Sequence, residues 1–543
     1  MPGVSSFRNT LSHAARGALA GLLAAFTALA VAELVAGLVR PAAGPVTVVG
    51  GAVIDRTPPA MKDFAIRTFG ENDKTVLQLG ILAILAVLAV ALGLLALAHR
   101  RVGAAGVLLF GILGSAAAVS RPDSTGIGDV LPSIAGALAG ACALYVLASK
   151  AQVEAVRVPG SVPAPGPAPA RTRTDGADTG GWSRRGFLAA AGVTTVAAAS
   201  AGALGRYFTR RQGRGAVASR ESLVLPAPAS PAPAVPAGVQ LKVADVSPFT
   251  TPNADFYRVD TALTVPRVDA GTWRLRIHGK GVTRPRTYTL DQLLARPLIE
   301  RDITLTCVSN EVGGPYIGTA RWLGVPLAAL LEEAGVRPPS KRGKADQLVA
   351  RSVDGMTLGS PVEDVMDGRD AMLAVGMNGQ PLPFDHGFPV RMLVPGLYGY
   401  VSACKWITDI ELTTYDAYDP YWVKRKWARR APIKTQSRID TPKPFGRPAA
   451  GTVTIAGVAW AQHRGITRVD VRIDDGPWQD ADLAPQATVD TWRQWSYRWN
   501  AAPGGHTITV RATDGTGTLQ TEQRTRTIPD GASGWHSVFV TVP

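Results

Sequence analysis

The stretch TLTCVSNEVGGPYIGTARW, Thr304 to Trp322, is the one from which the fold is read. Around its start the residues alternate: Ile303 and Leu305 are apolar, Thr304 and Thr306 polar, the period of a half-buried strand. The strand ends on Cys307, and the turn-rich run from Ser309 to Pro315 then carries the chain over the surface. A sulfur is thereby left at a strand tip, facing whatever the loop encloses. As a thiolate it is a soft ligand for a thiophilic metal; as a thiol it is a small buried hydrophobe. The chain has three cysteines, Cys142, Cys307 and Cys404. In an exported protein a disulfide between the last two is a third reading.

The flanking segments bear on that choice. TPNADFY (Thr251 to Tyr257), HGFPVRMLVPGLYGY (His386 to Tyr400) and KWITDIEL (Lys405 to Leu412) surround the cysteine stretch. Taken together and in this order, the four segments resemble the sulfite oxidase family of molybdopterin enzymes, from about Thr250 to Pro543. The resemblance implies a Mo-molybdopterin cofactor with Cys307 as the protein ligand to the metal. It also implies cofactor contacts from Asn253, Phe256, Tyr257, Asp354, His386, Arg391, Ser402 and Lys405. Arg391 and Lys405 would hold the phosphate, since a buried anionic tail needs fixed cations. Asn253, Asp354 and His386 would hydrogen-bond the pterin.

The implied chemistry is two-electron oxygen-atom transfer on a small molecule. Sulfite-oxidising members carry an arginine pair just after the cysteine, where this chain has Glu311 and Val312. Sulfite is an anion whose site should be lined by cations. Arg258 and Arg321 are the candidates to replace that pair as catalytic residues. Without them a small S- or N-oxide, as reduced by the family's periplasmic methionine sulfoxide reductases, is the alternative substrate. A membrane-tethered binding protein that keeps the fold without a metal is the reading from a different class.

The rest of the chain is built to present this region. At 543 residues it needs several domains, and its formal charge of +15 is carried largely by linker and juxtamembrane segments. That placement favours membrane orientation over nucleic-acid binding. Gly17 to Val39, Val76 to Ala98, Gly103 to Ser120 and Leu131 to Ser149 are apolar runs of spanning character, a four-helix transmembrane region over 1–150. Arg8 and Arg16, then His99 to Arg101, then Lys150 and Arg157 mark the cytoplasmic ends, so loops 40–75 and 121–130 face out. His13 and His99 stand at span edges, so the bundle is expected to anchor rather than to carry haem.

Residues 151–182 read as a cytoplasmic linker rich in Pro, Ala and Gly. Ser183, Arg184, Arg185, Phe187 and Leu188 then match a twin-arginine export signal, with 183–205 as signal or fifth transmembrane helix. Ala199 to Ala201 offers a small-residue cleavage site. Either way the residues after about 206 lie outside the cytoplasm: a multi-pass protein of the cell membrane with an extracytoplasmic catalytic domain. A Pro/Ala-rich tether follows over 206–238.

The catalytic domain is expected over 239–440. Trp273 to Ile277 alternates as a strand, while Leu290 to Leu294 and Pro326 to Ala334 read as short helices. Strands and helices without regular βαβ spacing give an α+β domain. Over 441–543 the pattern turns all-β. Val469, Val471 and Ile473 alternate, Asp475-Gly476 makes a hairpin turn, and Trp495, Tyr497 and Trp499 alternate in turn. That is an immunoglobulin-like sandwich, used either for a homodimer or for packing on its own catalytic domain. A separate redox partner, quinone or cytochrome, is implied by the two-electron chemistry.

Overall fold

The computed structural model describes residues 3–58, 61, 64, 68–69, 73–121, 124, 126–152 and 184–543. The chain forms two compact units, Met1–Arg214 and Gly215–Pro543. The first is helical: Gly3–Val39, Pro45–Arg56, Asp73–Ala98, Arg100–Ser120, Leu131–Gln152 and most of Arg184–Glu221. Five of its helices are long and apolar enough to cross a membrane. They approach closely through small residues, and a Cβ on Gly21 or Gly93 would collide with the facing backbone.

Two helical features depart from the sequence reading. Pro45–Arg56 is a helix inside loop 40–75, with Pro45 at its start, where proline's missing N–H costs nothing. The helix from Arg184 does not stop at Gly205 but runs on to Glu221. Arg, Gln and Ala sustain it, and no proline interrupts before Pro226. Ser183 of the export motif and linker residues 153–182 lie outside the described residues.

The second unit begins with ten strands: β1 (Arg274–Gly279), β2 (Arg286–Thr289), β3 (Ile299–Thr306), β4 (Ile317–Pro326), β5 (Gln347–Ser352), β6 (Thr357–Pro361), β7 (Met372–Met377), β8 (Gln380–Pro381), β9 (Arg391–Leu393) and β10 (Ile407–Thr413). One sheet has the order β2-β1-β10-β5-β6, with β1 parallel to β10. The other runs β3-β4-β7-β8, with β9 beside β7. Helix Leu290–Leu294 starts on a capping box of Thr289 and Gln292. Helix Leu327–Glu333 turns Leu327, Leu330 and Leu331 into the core. That core includes Trp322, fully buried, a side chain whose truncation to alanine costs about 3–5 kcal/mol.

Eight strands follow: β11 (Gln436–Thr441), β12 (Gly451–Trp460), β13 (Ile466–Ile473), β14 (Gln479–Asp480), β15 (Asp482–Leu483), β16 (Arg493–Ala501), β17 (Gly504–Asp514) and β18 (His536–Val542). They form two four-stranded sheets, β11-β12-β16-β15 and β14-β13-β17-β18. Between them lies a second core with Val469, Val471, Trp495, Ile508 and Val510.

β3 is an edge strand, and the C-terminal sheets cover its outer side. The Thr304 N–H donates to the Asp490 carbonyl (2.9 Å), and Gln462 Nε2 donates to the Thr304 carbonyl (3.0 Å). The Trp492 N–H donates to the Thr304 hydroxyl (2.8 Å). Trp460 and Trp492, from the C-terminal part, belong to the catalytic core itself. An edge that would otherwise recruit another chain is thus paired within the molecule.

Candidate functional site

Cys307 follows β3 directly, and its loop is tied off at the base. The Cys307 N–H donates to the Tyr316 carbonyl (3.0 Å), and the Tyr316 N–H donates to Asn310 Oδ1 (2.8 Å). The Ser309 N–H points at Sγ (3.4 Å). All three cysteines are free, so Cys307 and Cys404 form no disulfide. Burial pushes the Cys307 thiol up, against the pull of the Ser309 hydrogen bonds and the Lys405 charge. Such a group stays protonated until a strong cation sits on it, which suits a metal ligand better than a free nucleophile.

Aromatic rings and cations gather around the sulfur. Phe256 stacks on Tyr257 (5.2 Å between centroids) and meets Trp322 (5.9 Å) and His386 (5.4 Å) edge-on. Burial drives the Tyr257 phenol far up, and it feels both Cys307 and Arg391. Arg391 is buried over the Trp322 ring (5.3 Å), and its Nε has no hydrogen-bond partner. Burial lowers its pKa to about 10, so it remains a cation at neutral pH. His386 Nε2 donates to the Asn253 carbonyl (3.1 Å), and burial, helped by Arg391, lowers its pKa to about 4. Lys405 Nζ binds the buried Asp260 carboxylate (2.7 Å). Gly387, at φ +110, lets these elements meet, since a Cβ there would lie 3.1 Å from the Lys405 Cα and 3.2 Å from the Arg391 Cβ.

The remaining sequence candidates are placed around this group. Asn253 Nδ2 donates to the Met377 carbonyl (3.3 Å), and its Oδ1 accepts from Asn378 (2.8 Å). Asp354 accepts from the Thr261 hydroxyl (2.9 Å). The Ser402 hydroxyl donates to the Leu397 and Tyr398 carbonyls, pinning the loop after β9. Arg258 is held by Asp260 (2.9 Å) and Asp385 (3.1 Å).

Arg321 requires a correction of what was expected of it. Its neighbour Trp322 faces Arg391 and the core, so strand alternation sends Arg321 to the opposite face of β4. There Asp302 grips it with two hydrogen bonds (2.9 and 2.8 Å). It does not converge with Cys307. Asp260 and Trp322 are the functional neighbours that sequence reasoning missed. Asp260 could have been suspected from Arg258-Val259-Asp260, where a charge pair two apart shares a side of an extended chain.

These residues fit a bulky anionic cofactor. Arg391 is a buried cation with an idle donor, and Ser352 Oγ is likewise buried and unpartnered. Among the described residues no three His, Cys, Asp or Glu side chains converge as a metal cage, and Cys307 is the side chain that would reach the metal of such a cofactor. The cofactor itself would supply the other ligands.

The C-terminal sheets also hold the loop beyond Cys307. Arg438 donates to the Gly314 carbonyl (2.8 Å), and the His536 ring packs where a Cβ on Gly313 would stand. His536 Nδ1 accepts from the Ile439 N–H (3.0 Å), and burial, then Arg438, lowers its pKa to about 4. Unfolded histidine takes its proton near 6.5, so between about pH 6.5 and 4 the unfolded chain binds more protons. Stability therefore falls as the pH drops through that window, by on the order of 2 kcal/mol for this group at pH 4. Thermal melts of wild type and His536→Gln across this range should show a shallower pH slope in the variant.

Comparison with known proteins follows this geometry. Residues 262–422 match the oxidoreductase molybdopterin binding domain, a span that includes Cys307, Asp354, His386, Arg391, Ser402 and Lys405. Mitochondrial sulfite oxidase of Mus musculus is 32% identical over 291 residues, 46% of this chain and 53% of the mouse protein. An NADH nitrate reductase of Solanum lycopersicum is 34% identical over 184 residues, 30% of this chain and 20% of that protein. Among solved structures, the sulfane dehydrogenase SoxCD from Paracoccus pantotrophus aligns with a TM-score of 0.47 at 25% identity, covering 56% of this chain and 83% of that one. The chain spans about half the length of the sulfite oxidases it matches. The molybdopterin-binding domain, shared with these sulfite oxidases and nitrate reductases, supports a molybdenum-dependent oxidoreductase with a Mo-molybdopterin cofactor.

Proposed function

We propose that this chain is a membrane-anchored, extracytoplasmic molybdopterin oxidoreductase, with Cys307 as metal ligand, acting on a neutral S- or N-oxide in preference to sulfite. The observation that carries the reading is Arg391, a buried cation with an idle donor, set over Trp322 in the aromatic cluster of Phe256, Tyr257 and His386. When bound, the cofactor supplies two-electron oxygen-atom transfer. Arg391 and Lys405 would hold its phosphate, with Asn253, Asp354 and His386 toward the pterin. Electrons would pass to or from a separate carrier, a quinone or a cytochrome. The five apolar helices support the anchoring.

The side chains have distinct work in this scheme. Tyr257 keeps its proton, so its hydroxyl is available as a hydrogen-bond donor. His386 stays neutral with Nε2–H committed to Asn253, which leaves Nδ1 as an acceptor. The preference for a neutral substrate rests on where the cations are engaged. Arg258 is held by two carboxylates, Arg321 by Asp302 on the far face, and Lys405 by Asp260. Glu311 and Val312 stand where the sulfite-oxidising relatives are expected to place arginines.

An anionic substrate thus lacks a lining of free cations, worth at least about tenfold in kcat/KM. With reduced viologen as donor, the protein should turn over a neutral sulfoxide or N-oxide faster than it oxidises sulfite with ferricyanide. Added salt should narrow the difference. Efficient sulfite oxidation with no oxide reduction would overturn the preference.

A further inference from the structure

A cleft of about 790 Å³ opens between the turn after β1, the end of helix Leu327–Glu333 and the segment leading into β5. Its lining includes Lys280, Arg284, Arg337, Lys341, Arg342 and Lys344 against a single acid, Glu332. All six cations are exposed, and none makes an ion pair or side-chain hydrogen bond among the described residues.

Many arginines elsewhere on this domain are partnered, among them Arg276 with Asp409, Arg296 with Glu333, Arg301 with Asp370, and Arg369 with Asp364 and Asp367. Even the basic run Lys424 to Arg430 is occupied. Lys424, Arg425 and Arg430 lie over the rings of Tyr418, Tyr421 and Tyr415. Arg429 binds Asp419. Six like charges held together without an ion pair repel one another, a cost that an acidic ligand would relieve.

The walls of the cleft are built by the backbone. The Thr283 and Arg284 N–H groups both donate to the Ala334 carbonyl (3.1 Å each), and the Gly343 N–H donates to the Pro338 carbonyl (3.0 Å). Left-handed Gly281 (φ +79) and Gly335 (φ +81) make the corners. The Lys280 N–H donates to the Leu412 carbonyl and the Asp346 N–H to Thr413. The cleft therefore sits at the far end of β10 from Lys405, about 20 Å along the strand. The chain enters the domain at the start of β1, where the Ser219 hydroxyl accepts from the Ala270 N–H.

We infer that this cleft docks an acidic segment of a partner protein. Its concavity disfavours a flat lipid surface. Its lining has no aromatic ring on which a nucleobase would stack. Long exposed side chains hold a lone small anion weakly, whereas a run of carboxylates engages several at once.

The test uses the full-length protein in a non-ionic detergent and a fluorescein-labelled octaglutamate peptide, read by anisotropy. The peptide should bind, and the affinity should fall roughly tenfold or more between about 50 and 200 mM salt. Lys341→Glu with Arg342→Glu and Lys344→Glu should weaken binding at least tenfold at unchanged melting temperature. Lys424→Gln with Arg425→Gln should leave it unchanged. Equal binding by the triple variant would overturn the inference. So would tripolyphosphate binding more tightly than the peptide, or capture by anionic vesicles without peptide binding.

Discussion

On the proposed function, Cys307→Ser is expected to lower oxide-reducing activity by at least about 100-fold, the upper end of what losing a mere outer partner of a metal ligand costs. The melting temperature of the variant stays close to that of the wild type, because serine is nearly isosteric and the loop is closed by backbone bonds. The Cys307 N–H to Tyr316 and the Tyr316 N–H to Asn310 do not involve the sulfur. What changes is the soft ligand. A hydroxyl is harder and less readily deprotonated than a thiol, so the centre loses its donor and the absorption that a metal-thiolate bond gives. Wild-type protein from a cofactor-competent host should carry one molybdenum per chain by elemental analysis. Wild type without molybdenum would instead favour a binding protein that kept the fold.

Ending the chain at Asp440 is expected to abolish soluble, cofactor-loaded protein. Removal strips Trp460 and Trp492 from the catalytic core, at about 3–5 kcal/mol each. It also leaves the buried backbone of Thr304 without Asp490 and Gln462, at about 1–3 kcal/mol per orphaned group. Together these rival the whole stability of an ordinary domain, about 5–15 kcal/mol. Trp492→Ala tests the same contact without truncation. Its indole N–H donates to the Phe249 carbonyl (2.9 Å), and the variant should melt earlier with a lower molybdenum content. A truncated protein that stays folded and loaded would make the C-terminal sheets an independent module.

Several of these features can be read from residues close in sequence. The alternation into Cys307, the turn run after it and the apolar faces of Leu290–Leu294 and Leu327–Glu333 are local signals, and the strands and helices follow them. The helix to Glu221 was hidden because its Arg-rich end reads as a tether, while nothing in it breaks a helix. The site's charge pattern was harder. Lys405 meets Asp260 across 145 residues, and no periodicity predicts such a pairing. Arg321 was legible in principle, since a strand that buries Trp322 must turn its neighbour the other way. What the residues alone could not give was the cover on β3, because it comes from a separately patterned part of the chain.

That cover has a consequence for the order in which the molecule is made. Thr304 and Trp492, which close the edge of β3, are 188 residues apart. At a synthesis rate of about 5–20 residues per second, β3 waits roughly 10–40 s for its covering partner to leave the ribosome. During that interval the Thr304 end of its outer edge, beyond the stretch that Ser230 pairs, is open to any neighbouring nascent chain. The finished sulfur-bearing strand tip therefore depends on residues made more than 150 positions after it. Cofactor capture on this scheme waits for Gln462, Asp490 and Trp492, and a chain cut short before them would carry every cofactor residue yet never offer a completed cradle.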